Sequence, residues 1–198
     1  GVGQLLISTT SWVGLMRLMT LFGSAAVAGF AVAMRLVMFA ILPAWGLSNA
    51  AATLVGQNLG AGHPERAEQA VWTAARYNLY FLGGIGLVFV VLAGPIVRLF
   101  PGEPDMHAYG APALRIVGLG FPFYAYAIVV SAGFNGAGDT WTPTLMNCFC
   151  FWLWEIPLAW FLARPLAMES TGVFIAIAVA FSTLAVVAVV IFRRGRWK

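Results

Sequence analysis

Residues 49–67 read NAAATLVGQNLGAGHPERA. An apolar run arrives from Ala25, turns small and amide-rich, and leaves through Gly60, Gly62 and Pro64 onto a charged patch. In a polar chain this would be an ordinary helix end. Here it closes a charge-free stretch, 36–62, long enough to cross a hydrocarbon core of about 30 Å. Its amides Asn49, Gln57 and Asn58 are costly in hydrocarbon, so they should face protein, an aqueous cavity or the interface. A membrane helix with polar last turns points to transport.

The rest of the chain agrees. It is 61% hydrophobic and 9% charged, with a mean hydropathy of +0.88, whereas soluble domains carry about 25% charged residues. Further charge-free stretches run over 77–97, 116–138 and 170–192, and two more spans, near 2–22 and 142–163, hold only Arg17 and Glu155. The reading is an all-α membrane protein, a six-transmembrane-helix bundle in a single unit over 1–198. Its helices are expected at about 3–22, 25–59, 65–100, 113–134, 142–163 and 171–192. The second would be about 35 residues, or ~52 Å, so it must tilt, bend or project from the bilayer. Pro43, Pro122 and Pro157 fall inside spans, where each removes a backbone hydrogen bond and supplies a point of flexion.

With an even number of spans both ends share a side. That side carries His63, Arg66, Arg76, Arg193, Arg194, Arg196 and Lys198, and Lys and Arg favour the cytoplasm. Both ends are therefore expected to be cytoplasmic, in a multi-pass protein of the cell inner (plasma) membrane. The basic tail reads as an orientation signal and not as a nucleic-acid site. Trp72, Trp141, Trp160 and Trp197 fall near the interfaces, as an aromatic belt would. Cys148 and Cys150 point to different faces of one helix and read as packing.

Enzyme signatures are missing. SAGFNGAGD is not a nucleophile elbow, His63 and His107 read as loop residues, and no metal cluster, phosphate loop or cofactor fingerprint stands in context. Chemistry concentrates elsewhere. Glu155, in FWLWEIP, lies ~18 Å from Pro143 along the fifth helix, near mid-membrane. An ionised carboxylate is expensive there, so Glu155 should be protonated, paired or facing water. It is a candidate for coupling to H⁺ or Na⁺; a structural hydrogen bond or ion pair is the plainer reading. Asn147 and Phe151 share its face. Arg35 lies at similar depth, ~15 Å into the second helix. It would pair with Glu155 if helices two and five touch, with snorkelling or a bound anion as alternatives. Gln4, Ser8 and Ser11 form a polar stripe on the first helix that would line a cavity or bind neighbouring helices. Tyr124 and the aromatic face of the fourth helix would suit amphipathic substrates or simply fill the bundle.

TLVGQNLGAGHPERA after the second helix and FNGAGDTWTP after the fourth resemble the C-terminal half of the MATE (multidrug and toxic compound extrusion) transporters. GSAAVAGFAVAMRLVMFAILPAWGLSNAA and FWLWEIPLAW fit the same pattern. The resemblance implies one half of a twelve-helix pseudo-two-fold transporter, with a missing N-terminal lobe of the same polypeptide. A start at Gly1 without an initiator Met fits that expectation. It also implies secondary active efflux of cationic or amphipathic small molecules by H⁺ or Na⁺ antiport, without a cofactor or resident metal. Asn49, Gln57, Asn58 and Gly60, with Asn135, Gly136, Gly138 and Asp139, would be structural or gating residues. The sequence departs from the family where many relatives carry acidic residues: those positions fall at Ser8 and Tyr124. A flippase for lipid-linked saccharides and a non-transporting six-span scaffold remain the alternatives.

Overall fold

A computed structural model describes residues 2–197. Six of its helices are long and apolar enough to cross a membrane. α1 (Val2–Met19) continues through a 3₁₀ turn at Thr20–Phe22. α2 (Ser24–Gly60), α3 (Pro64–Arg98) and α4 (Pro104–Gly136) follow. The fifth span is composite: α5 (Trp141–Asn147), a π-helical stretch (Cys148–Glu155) and α6 (Ile156–Ala163). α7 (Glu169–Arg193) completes the bundle.

Two expectations need correction. α4 begins at Pro104, well before the expected Ala113, and runs straight through Pro112 and Pro122. Pro104 sits in the first turn, where its missing N–H costs nothing, and Glu103 before it is extended. This takes His107 out of a loop and into α4, with its ring Nε2 at 3.1 Å from the Phe100 carbonyl oxygen. Likewise α3 passes through Pro95 before ending at Arg98. The fifth span, expected as one α-helix, changes to i→i+5 bonding over the residues that lead into Glu155.

Helices in lipid gain little from burying apolar surface against one another, so they associate by close packing, and small residues permit it. α4 shows this at each crossing. A side chain at Gly118 would meet Phe89 and Gly86, and one at Gly86 would run into the Gly118 carbonyl. Near the other end of α2, a Cβ at Gly29 would fall 2.5 Å from the Met106 carbonyl oxygen. At the end of α4, a Cβ at Gly136 would run into the Ala52 carbonyl oxygen. Backbone therefore rests on backbone, and α4 packs against α2, α3 and α7. Phe30, Phe121, Phe134, Phe174 and Phe192 fill the spaces between, all fully buried.

α1 is attached differently. It buries only Ser11, Leu15 and Met19, and much of its grip on the rest is polar. Replacing Gly136 by Ala should lower stability by about 1–3 kcal/mol through overpacking against α2. Gly46→Ala on the open face of the same α2, with nothing within 4 Å, should be neutral or raise it by up to about 1 kcal/mol. Thermal unfolding in detergent measures both, and equal melting of the two variants would contradict the packing account.

Candidate functional site

Three helix faces converge on one cavity of about 530 Å³. From α1 come Gln4, Ser8, Ser11, Trp12 and Leu15; from α2, Met34, Ile41, Trp45, Ser48 and Asn49; from α4, Tyr124, Ile128, Ser131 and Asn135. These recur at three- and four-residue intervals, so each set is one face of its helix. The fifth span adds Asn147, Phe151 and Glu155, and α7 adds Phe181 and Leu184. Tyr124 and Phe181 are in ring contact, with centroids 4.4 Å apart.

Glu155 is 3% exposed and is the last residue of the π-helical stretch. Ser11 Oγ donates to its Oε2 at 2.7 Å and also lies within bonding reach of the Phe151 carbonyl oxygen, at 3.1 Å. A hydroxyl has one hydrogen and can accept as well as donate. Two arrangements therefore exist. With an ionised carboxylate, the Ser11 hydrogen goes to Glu155 and the Phe151 carbonyl loses it. With a protonated carboxyl, Glu155 donates to Ser11 and Ser11 donates to Phe151, so that every group is satisfied.

Polar contacts continue along α1. Trp152 Nε1 donates to the Ile7 carbonyl at 3.1 Å and to Thr10 Oγ1 at 3.2 Å. Gln4 and Asn135 form a two-way amide pair: Gln4 Nε2 donates to Asn135 Oδ1 at 2.9 Å, and Asn135 Nδ2 donates back to Gln4 Oε1 at 3.2 Å. The pair joins the start of α1 to the end of α4. Just beyond, both Asp139 carboxylate oxygens accept from Thr142, one from the backbone N–H at 3.0 Å and one from the hydroxyl at 2.5 Å. Asp139 thus caps the start of the fifth span.

Residues 1–161 match the MatE family. The chain belongs to that family. It is 28% identical over 195 residues to the probable multidrug resistance protein YpnP of Bacillus subtilis, covering 98% of this chain and 43% of that protein. It is 30% identical over 174 residues to a probable multidrug resistance protein NorM of Rhodopseudomonas palustris, covering 85% and 36%. The fold matches the MATE transporter ClbM, solved in complex with Rb⁺, with a TM-score of 0.91 at 26% identity. That match covers 98% of this chain and 46% of ClbM. The chain thus spans less than half the length of these MatE relatives, and it is a multi-pass membrane protein.

Among the expected site residues, Gln4, Ser8, Ser11, Asn49, Tyr124, Asn135, Asn147, Phe151 and Glu155 meet at this cavity. Arg35 does not. It is exposed on another face of α2, and Glu155 has Ser11 as its partner instead. Equal depth along two helices says nothing about the direction in which each side chain points. Gln57 is exposed, and Asn58 Nδ2 turns back to the Leu54 carbonyl of its own helix at 2.7 Å. Gly60 ends α2, and Gly138 takes a left-handed φ of 86° in the turn before α5. Pro43 and Pro157 face outward, and Pro122 is half-buried. The Trp197 ring is buried on Phe192, while Trp141 and Trp160 are exposed.

Ser131 was not singled out from the sequence. Its buried hydroxyl has no hydrogen-bond partner, and the residue lines the cavity. The signal was present in its spacing from Tyr124, Ile128 and Asn135 on one face of α4. The Gln4–Asn135 pair yields a direct test. A hydrogen bond contributes about 1 kcal/mol net, roughly fivefold in a local opening equilibrium. In Gln4→Ala, backbone amides in the first half of α1 should exchange hydrogen about fivefold faster, with those of α2 and α4 unchanged. Exchange mass spectrometry giving equal rates in α1 would show that the pair does not hold it.

Proposed function

We propose that the protein carrying this chain exports cationic or amphipathic small molecules across the cell inner membrane by antiport with protons, with both ends of the chain cytoplasmic. The observation that carries the coupling is the position of Ser11 between the Glu155 carboxyl and the Phe151 carbonyl. Proton arrival or loss at Glu155 reverses the hydrogen bond on α1, the most lightly packed part of the bundle. A proton thereby changes how firmly α1 is held.

The cavity wall supports the substrate class. Trp12, Trp45, Tyr124, Phe151 and Phe181 supply aromatic surface around a single carboxylate, and among the described residues no Lys or Arg lines the space. Aromatic faces and one acid favour organic cations. A lipid-linked saccharide carries pyrophosphate and would need basic residues here; Arg35, the deep cation, is elsewhere. The relatives named as probable multidrug resistance proteins agree with export. The Rb⁺ complex of ClbM shows that a related protein binds a monovalent cation. In this chain the hydrogen-bond chain at Ser11 favours a proton over Na⁺, since each member has a donor–acceptor role that a metal ion would break. With six spans, the start of α1, the α2–α3 turn and the end of α7 share a side, and the basic residues His63, Arg66, Arg193, Arg194 and Arg196 on it support a cytoplasmic placement.

The transport cycle is alternating access, with the cavity opening to one side at a time. The Gln4–Asn135 pair closes one end of α1, and release of that pair opens the cavity on the terminal side. The full polypeptide, reconstituted in proteoliposomes and assayed for ethidium movement, tests the reading. A pH gradient should drive transport, and Glu155→Gln should reduce the driven rate at least tenfold and weaken ethidium binding, because Gln lacks the charge. Ser11→Ala should reduce it less, because water can replace a hydroxyl. Full transport by Glu155→Gln, or transport driven by Na⁺ alone, would overturn proton coupling at this site.

A further inference from the structure

The end of α7 makes a second feature that the export cycle does not use. Arg194 N–H and Gly195 N–H donate to the Ile191 and Phe192 carbonyls at 3.1 Å each, and Gly195 takes a left-handed φ of 71°. That turn folds Trp197 back onto Phe192, with ring centroids 4.4 Å apart and Trp197 Nε1 donating to the Phe192 carbonyl at 2.9 Å. The tail is thereby fixed beside the span. A groove of about 440 Å³ results between α5 and α7.

Its two ends differ in chemistry. Leu145, Phe149, Val187 and Ile191 line the part within the span, and Leu145 and Phe149 are exposed. Arg194 and Arg196 line the part at the end of the span, and both are exposed. Asp139 also borders the groove, with each of its two oxygens accepting from Thr142. Among the described residues neither arginine has a carboxylate partner. Arg193 is separate, lying over the Trp72 ring at 5.7 Å.

We propose that this groove is a binding site for one anionic phospholipid of the leaflet at the end of α7. The phosphate sits between Arg194 and Arg196, whose planar guanidiniums suit paired hydrogen bonds to phosphate oxygens. An acyl chain lies along Leu145, Phe149 and Val187. Basic pockets between helices at the membrane surface favour anionic headgroups. The apolar wall distinguishes a lipid from a soluble anion, which would gain nothing from it. Bound lipid bridges the start of the fifth span to the end of α7, two elements that otherwise meet lightly there.

Native mass spectrometry of the full polypeptide, released from nanodiscs of equal phosphatidylglycerol and phosphatidylcholine, tests this. One phosphatidylglycerol should remain bound. Arg194→Gln with Arg196→Gln, at exposed positions, should reduce its retention at least fivefold. Val187→Trp, which fills the groove and keeps both arginines, should reduce it as much, and millimolar inorganic phosphate should not displace it. Equal retention of phosphatidylcholine, undiminished binding by Val187→Trp, or displacement by phosphate would each overturn the proposal.

Discussion

The bundle depends on how closely α4 approaches its neighbours. Lipid tails are as apolar as leucine, so no solvent drives the helices together and contact distance decides their association. Gly118 on Gly86 and Gly136 on Ala52 place backbone directly against backbone. These contacts seat α2, α3 and α7 around α4 as one tightly packed body. They also set the site. Asn135, which pairs with Gln4, precedes the glycine that touches α2, so backbone contact fixes the position of its amide.

α1 and the fifth span are joined to that body, and to each other, by fewer and more polar contacts. Hydrogen bonds between membrane helices contribute about 0.6 kcal/mol on average. The bonds from Gln4, Ser11 and Trp152 then hold α1 by only a few kcal/mol, which is within reach of a change in protonation or of a bound substrate. The π-helical stretch leads to the same place. Its wider turn loosens the backbone beside Glu155, and Pro157 removes a donor just beyond it. Rigidity and movement are thus assigned to different helices by the same physics.

Much of this was legible in the sequence. Span number and the polar stripe of α1 follow from hydropathy and helical spacing, which are local properties. Arg35 shows where that stops. Its depth matched that of Glu155, but the face of α2 on which it lies is set by the Gly29–Gly110 and Gly136–Ala52 contacts, between residues far apart in the chain. The start of α4 was hidden because Pro104 and Pro112 read as breakers in water, where a free carbonyl is cheap and a loop is easy. Nothing in CFCFWLWE distinguishes i→i+5 from i→i+4 bonding. The stretch with that bonding is also where Ser11 and Trp152 bond between α1 and the fifth span.

Ser8 and Tyr124, where the family resemblance leads one to expect acidic residues, both line the cavity. This leaves Glu155 as the one carboxylate on the cavity wall among the described residues. A single acid imposes a simple rule on the proposed cycle. A proton neutralises the charge that an organic cation needs, and a bound cation disfavours protonation; by linkage the two effects are equal in size. Neither occupant then needs a separate device to expel the other. Competition for one buried charge, read out by the Ser11 hydrogen bond, makes exchange the natural outcome, with one proton entering for each monovalent cation released.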